Sequence, residues 1–117
     1  KLLCGPGVDP HGYGASTRDV LAMDQADLIV FNGFHLEAQL SDLLEREAIA
    51  VKSWSMASAF PAERRLGWSE GGVSTDNFDP HIWNDLEGWS SCVAALSLEL
   101  AEQFPESAEQ IKANAAA

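Results

Sequence analysis

Asp27-Leu-Ile-Val-Phe31 is the short, continuous and largely apolar run that decides the fold class. Such a run is typical of a parallel strand that is covered on both faces. Before it, Ser16 has the character of a helix N-cap, with Asp19 three residues further on in a capping-box position. The sequence therefore predicts a helix from Ser16 to about Gln25, followed by a buried strand.

The same alternation continues on both sides of this unit. A second helix is predicted over residues 35–47, because leucines recur there at helical spacing: Leu36, Leu40, Leu43 and Leu44. Short apolar runs predict two more strands, at Leu2–Cys4 and Ala48–Val51. Strands that alternate with helices indicate an α/β fold, with a parallel sheet flanked by helices.

The second half of the chain has a different pattern. Ser53–Phe78 shows no clear period and is predicted to be a long irregular loop, of a kind that often forms a lid or binding loop. Asp85–Phe104 is predicted to be a helix, on which Leu96 belongs to an apolar stripe. Another helix is predicted over Glu106–Ala117. We expect Leu40 and Leu96 to be core residues.

Composition limits the function classes. A length of 117 residues suits one domain, and a net charge of −11 argues against a nucleic-acid partner, which would require a basic face. The two cysteines, Cys4 and Cys92, lie far apart and form no C-x-x-C motif. We expect two buried free thiols, and a disulfide between them is the alternative in an oxidising compartment.

A repeated tripeptide carries the chemistry. Gly5-Pro-Gly-Val-Asp-Pro-His-Gly12 contains Asp-Pro-His, which returns as Asp79-Pro-His81. Proline stiffens each segment, so each imidazole is presented at a defined place. Imidazole is a common ligand of zinc and other transition metals, and two such loops would supply half of a four-coordinate site. The alternative is that both are ordinary loop histidines that follow a helix-breaking proline.

The predicted topology suggests where these histidines lie. His11 follows the first predicted strand and His81 follows the loop after the third, and the carboxyl ends of parallel strands share one edge of the sheet. His35, at the first turn of a predicted helix, is a candidate third ligand, but we expect it to stay outside the site. Asp9 and Asp79 either hold the second imidazole nitrogen or cap their own turns.

Three motifs occur in the same order and at similar spacing in one known family. They are Gly5-Pro-Gly-Val-Asp-Pro-His-Gly-Tyr13, Ala26-Asp-Leu-Ile-Val-Phe-Asn-Gly-Phe-His-Leu-Glu37 and Phe78-Asp-Pro-His-Ile-Trp-Asn-Asp85. The chain resembles the periplasmic metal-binding proteins of zinc and manganese ABC transporters, most closely the TroA-like group. The likeness covers essentially the whole chain.

The resemblance implies two α/β lobes joined by a long linking helix, with the metal held between them. Residues 1–117 would form the amino-terminal metal-binding lobe, incomplete at its start, and the second lobe would follow Ala117. His11 and His81 would supply two of four ligands. The implied function is high-affinity binding of zinc and/or manganese and its delivery to an ABC transporter permease, by a monomer that is no enzyme. The implied location is periplasmic or extracellular, with a lipid anchor left open.

Two alternative functions are compatible with the sequence. A metal-dependent hydrolase could use a two-histidine site with a bound water, although no H-E-x-x-H or similar spacing is present. A metal-free adhesion or interaction module is the other alternative. The family's histidine-rich loop, seen in some zinc-specific members, is absent between Val51 and Asp79, which weakens a strictly zinc assignment.

Overall fold

Parallel pairing of two short strands lies at the centre of the amino-terminal half. In the computed structural model, β1 (Ile29–Phe31) pairs in parallel with β2 (Ser53–Ser55), and Val30 lies opposite Trp54. The structure describes residues 1–70 and 73–117, and of Glu70 and residues 73–76 it describes the backbone alone. The predicted α/β class with a parallel sheet flanked by helices is confirmed.

The helices beside this sheet are short. α1 spans Thr17–Asp24, α2 spans Ser41–Leu44 and α3 spans Glu47–Ala50. The Ser16 hydroxyl accepts a hydrogen bond from the Asp19 backbone N–H at 3.3 Å, and the Asp19 carboxylate accepts one from the Ser16 N–H at 3.0 Å. The predicted capping box is therefore confirmed.

The predicted helix over residues 35–47 is wrong in its bounds. Phe34 and His35 have φ angles of 49° and 61°, in the left-handed region, so a right-handed helix cannot include them. The chain turns instead through a 3-10 helix, Ala38–Leu40, before α2 begins. Arg46 is extended, with ψ at 131°, and separates α2 from α3.

Two of the three predicted strands also need correction. Ala48–Val51 lies largely in α3 because backbone N–H groups there bond back to Arg46, and alanine favours the helix. The strand forms a few residues later, at β2. Leu2–Cys4 takes no strand conformation, because a strand requires a hydrogen-bonded partner and none of the described residues pairs with it.

The chain divides into two compact units, Lys1–Ser55 and Met56–Ala117. In the first unit, buried Met23, Leu43 and Ile49 form a core, against which Val20 and Leu3 pack. Leu36 and Leu40 are also buried, at 5% and 4% exposure, so the leucine stripe is confirmed even though its helix is broken.

The second unit is built on a long helix. α4 spans Leu86–Gln103 and packs against α5 (Ala108–Ala115) and against a 3-10 helix, Met56–Ala59. Asp85 caps α4 by accepting a hydrogen bond from the Gly88 N–H at 3.1 Å. The helices predicted over Asp85–Phe104 and Glu106–Ala117 are confirmed in position.

Leu96 is not the core residue that was predicted. The buried positions of α4 are Gly88, Cys92 and Ser97, and Leu96 is half-buried. Since residues advance by about 100° along a helix, Gly88 and Ser97 lie on opposite sides of it and Leu96 falls between those two buried faces.

The segment predicted to be a long loop contains regular structure. Strands β3 (Gly67–Glu70) and β4 (Val73–Phe78) pair antiparallel, with Gly67 opposite Phe78. Their residues are mostly small or polar, so they show no apolar alternation that would predict strands. The Gly71–Gly72 doublet lies outside the described residues.

Candidate metal centre

The repeated tripeptide is also a repeated structure. Asp9 precedes a 3-10 turn, Pro10–Gly12, and its Oδ1 accepts hydrogen bonds from the His11 backbone N–H at 3.0 Å and from Nδ1 at 2.8 Å. Asp79 holds His81 in the same way, at 2.9 Å from the backbone nitrogen and 2.6 Å from Nδ1. Each aspartate therefore performs both of the alternative roles considered from the sequence, capping its turn and holding its imidazole.

This arrangement fixes the chemistry of both rings. A carboxylate can only accept hydrogen bonds, so Nδ1 of each histidine carries the proton that is shared with its aspartate. In the neutral imidazole the lone pair then lies on Nε2, the nitrogen through which such a ring would bind a metal ion. Holding the second nitrogen in this way fixes the tautomer and orients the ring as a ligand.

The same hydrogen bonds lower the pKa of both aspartates. The hydrogen bond from the His11 ring, followed by the bond from its backbone N–H, lowers the pKa of Asp9. Partial burial acts to raise the pKa of Asp79, but the bonds from the His81 backbone and ring outweigh it, and that pKa also lies below its usual value. Both carboxylates are therefore ionised at neutral pH, as this role requires.

The two histidines differ in their surroundings. The side chain of His11 is 48% exposed and that of His81 is 31% exposed. The His81 ring lies beside two indoles, with centroid distances of 5.8 Å to Trp68 and 5.3 Å to Trp83. Trp68 belongs to β3, so the strand pair that the sequence did not predict contributes directly to the surroundings of His81.

The third histidine has a different setting. His35 is exposed and lies in the left-handed turn after β1. The carboxylate of Glu37 holds the start of that turn, accepting hydrogen bonds from the Asn32 N–H at 2.7 Å and the Gly33 N–H at 3.2 Å. Among the described side chains, no aspartate bonds to the ring of His35 in the way that Asp9 and Asp79 bond to His11 and His81.

A polar cluster near the first tripeptide was recognised from the sequence only as a helix cap. Asp19 is 7% exposed, and its carboxylate accepts hydrogen bonds from Tyr13 Oη at 2.7 Å, Ser16 Oγ at 2.7 Å and Lys1 Nζ at 2.8 Å. The Lys1 ammonium, with the Ser16 and Tyr13 hydroxyls, holds the pKa of Asp19 far below its usual value. This cluster anchors Tyr13, and with it the end of the loop that carries His11.

Both cysteines are free thiols, as predicted. Cys92 is fully buried and Cys4 is half-buried. Desolvation is the largest cause of a raised pKa at each of them, which favours the protonated thiol at neutral pH.

Within the described residues, no group of three or more histidine, cysteine, aspartate or glutamate side chains is placed to hold a metal ion. His11 belongs to the first compact unit and His81 to the second, so their convergence on one ion stays a prediction. None of the helices in the described part of the chain is long and apolar enough to cross a membrane.

The α/β fold and the paired Asp-Pro-His segments are those expected of the family that the sequence motifs resemble. Residues 1–117 match the family described as ZnuA, Zinc-uptake complex component A periplasmic, and the chain belongs to that family. The resemblance stated from the sequence motifs is thereby confirmed.

Curated relatives of the chain are described as metal-binding proteins. It is 33% identical over 113 residues to the manganese-binding lipoprotein MntA of Bacillus subtilis, covering 97% of this chain and 36% of that protein. It is 36% identical over 105 residues to the zinc-binding protein TroA of Treponema pallidum, covering 90% of this chain and 32% of that protein. The chain thus spans about a third of the length of these relatives.

Solved structures agree with the fold. The periplasmic zinc-binding protein TroA from Treponema pallidum superposes with a TM-score of 0.76 at 32% identity, covering 95% of this chain and 38% of that one. The Fe(III)-bound YtgA from Chlamydia trachomatis gives a TM-score of 0.76 at 31% identity, covering 97% and 38%. This likeness confirms the α/β lobe as the fold class.

Proposed function

We propose that this chain is the amino-terminal metal-binding lobe of a solute-binding protein that captures a divalent transition metal and delivers it to an ABC transporter permease. The observation that carries the proposal is the pair of identical Asp-His arrangements at His11 and His81. A repeated tripeptide that served only as a turn would require the aspartate cap, but it would not require Nδ1 of the ring to be held as well.

His11 and His81 each present Nε2 as a ligand, and together they supply two of the four ligands of a tetrahedral site. A second lobe after Ala117 supplies the other two, as the family resemblance implies. Rigid Asp-Pro-His loops set the geometry of the first half of the site, and movement between lobes opens it for release. The protein acts as a monomer and without nucleic acid.

The metal is zinc and/or manganese. Imidazole nitrogens suit zinc, whereas manganese is favoured when carboxylates complete the site, so the ligands of the second lobe decide between them. The relatives named above bind zinc, manganese or Fe(III), which supports a transition metal as cargo. Their lipoprotein and periplasmic descriptions support a periplasmic or extracellular location with a lipid anchor.

A carrier of this kind performs no chemistry on its cargo. It requires a site that is filled completely by protein ligands, whereas a hydrolase requires an open coordination position with a bound water and a general base. Oδ1 of each aspartate beside a candidate ligand accepts two hydrogen bonds from its own histidine. This use of the carboxylates supports positioning of the rings rather than general-base catalysis.

Equilibrium dialysis of the full-length protein against zinc and against manganese tests the proposal. We expect one bound ion per molecule, at submicromolar free metal, and no turnover of generic ester or phosphoester substrates by the loaded protein. Absence of bound transition metal would support an adhesion or interaction module instead. Metal-dependent turnover would support the hydrolase.

A further inference from the structure

The His81 ring lies beside two aromatic side chains that reach it by different routes. Trp83 is two residues away, in the 3-10 turn Ile82–Asn84, and its ring meets His81 nearly edge-on at 73°. Trp68 comes from β3, thirteen residues earlier in the chain, and its ring is tilted at 44° with the centroids 5.8 Å apart. Both separations fall in the range of about 4.5–7 Å where aromatic pairs attract each other.

Backbone pairing brings Trp68 to this position. Gly67 lies opposite Phe78 in the β3–β4 register, and the Asp79 N–H donates to the Leu66 carbonyl at 2.8 Å. The residue just before the strand that carries Trp68 is therefore hydrogen-bonded to Asp79, the residue that holds the His81 ring.

We propose that Trp68 is a positioning residue for His81. Asp79 holds the ring at Nδ1, and a hydrogen bond at that atom does little to limit rocking of the imidazole about the axis through Nδ1. An indole packed against the ring limits that motion, so Nε2 is kept pointing at the place where the metal binds. The metal-binding part of this inference rests on the function proposed above, whereas the ring contact itself does not.

The contact is tested first without metal. Ring currents from Trp68 should displace the NMR resonances of the carbon-bound ring protons of His81 in the full-length, metal-free protein. We expect Trp68→Ala to move these resonances toward the values of an unstructured histidine and to broaden them, and Trp68→Phe to retain most of the displacement. Unchanged His81 resonances in a folded Trp68→Ala variant would overturn the proposal.

Zinc affinity of the same variants tests the positioning role. We expect Trp68→Ala to weaken zinc binding by about three- to tenfold, the range that one aromatic contact supplies, and Trp68→Phe to stay within about twofold of the unsubstituted protein. Leu66→Ala is the matched control, because Leu66 is 68% exposed on the same segment and contributes only its backbone to Asp79. Equal losses in the Ala and Phe variants would contradict positioning by an aromatic ring.

The two proposals can fail separately. If His81→Ala leaves zinc binding unchanged, the proposed metal site is wrong, whatever Trp68 does. If His81→Ala abolishes binding while a folded Trp68→Ala variant binds zinc with unchanged affinity, the site stands and the positioning role is wrong. Circular dichroism of the metal-free variants, compared with the Leu66→Ala control, identifies any variant that fails to fold. If Trp68→Ala does not fold, the resonances and zinc affinity of Trp68→Phe are compared with those of the unsubstituted protein instead.

Discussion

Asp79 Oδ1 accepts two hydrogen bonds from a single residue, His81, one from the ring Nδ1 at 2.6 Å and one from the backbone N–H at 2.9 Å. The same atom of Asp9 does the same for His11. The two segments lie seventy residues apart in the sequence. In each of them the aspartate fixes both the turn and the imidazole ring that the turn carries. A turn alone would leave the imidazole to rotate.

The carboxylates should therefore matter for metal binding although they do not contact the ion. Replacing Asp79 by Asn keeps an acceptor for the ring but removes the charge, and we expect zinc affinity to fall by about tenfold. Asp79→Ala removes both hydrogen bonds and should cost up to about a hundredfold. Titration calorimetry measures both, with exposed Asp27→Asn as the control. Full affinity in Asp79→Ala would refute the role of the carboxylate.

Stability in acid should depend on the ion pair between Arg64 and Asp85. Arg64 donates to both Asp85 oxygens, at 2.6 Å and 2.8 Å, and with the Gly88 N–H it lowers the pKa of Asp85 to about 2. Because the folded-state pKa is depressed, this stabilisation is present above the unfolded-state pKa of about 4 and is lost as the pH falls toward 2.

Asp85→Asn isolates this effect, because asparagine is also a good N-cap and only the charge is removed. We expect the variant to melt at a lower temperature than the unsubstituted protein at pH 6. The difference should shrink between pH 4 and pH 2, where the aspartate of the unsubstituted protein is protonated. Thermal melts across this range provide the measurement, and a constant difference at all pH values would contradict the ion-pair explanation.

Burial distinguishes Leu40 from Leu96, although the sequence predicted both to be core residues. Leu40 is 4% exposed, and Leu40→Ala should cost about 2–5 kcal/mol in the free energy of unfolding. Leu96 is half-buried, so Leu96→Ala should cost only about 1 kcal/mol. Urea denaturation of the two variants side by side checks the order, and a larger loss for Leu96 would place it in the core after all.

Gly88 has no space for a side chain. A Cβ there would lie 2.3 Å from Phe60 Cε2 and 2.7 Å from its Cζ. Alanine favours a helix over glycine by about 1 kcal/mol, but such overpacking costs about 1–3 kcal/mol and more where the ring cannot move. Gly88→Ala should therefore destabilise the protein.

A second substitution identifies the cause of that loss. Phe60→Leu in the Gly88→Ala background should recover part of the stability, since the two changes are coupled through one contact. Gly14→Ala is the control, because a Cβ at Gly14 meets nothing within 4 Å. Purely additive effects at positions 60 and 88 in chemical denaturation would show that the ring is not the obstacle.

Local signals predicted the features that local forces create. The Ser16–Asp19 capping box, the helix after Asp85 and the burial of Leu40 were all accessible from residue spacing. The two Asp-Pro-His segments were recognised because proline and aspartate act on their immediate neighbours. The sequence therefore predicted each Asp-Pro-His segment of the candidate site separately.

Features that depend on pairing with distant residues were missed. β2 is Ser-Trp-Ser and shows no apolar run. It is a strand because its backbone pairs with β1, with Trp54 opposite Val30. β3 and β4 are rich in small and polar residues, and their register alone brings Trp68 to His81. Alanines at 48 and 50 favoured α3 over the predicted strand.

Joint binding of one metal ion by His11 and His81 is the core of the proposed function. The decisive measurement is titration calorimetry at neutral pH of the full-length protein and its His11→Ala, His81→Ala and His35→Ala variants. We expect the first two to lose at least about a hundredfold in affinity, more than the loss from removing a carboxylate behind the ring, and His35→Ala to bind as the unsubstituted protein does. Unchanged affinity in both the His11 and His81 variants, or a large loss in the His35 variant alone, would contradict the account.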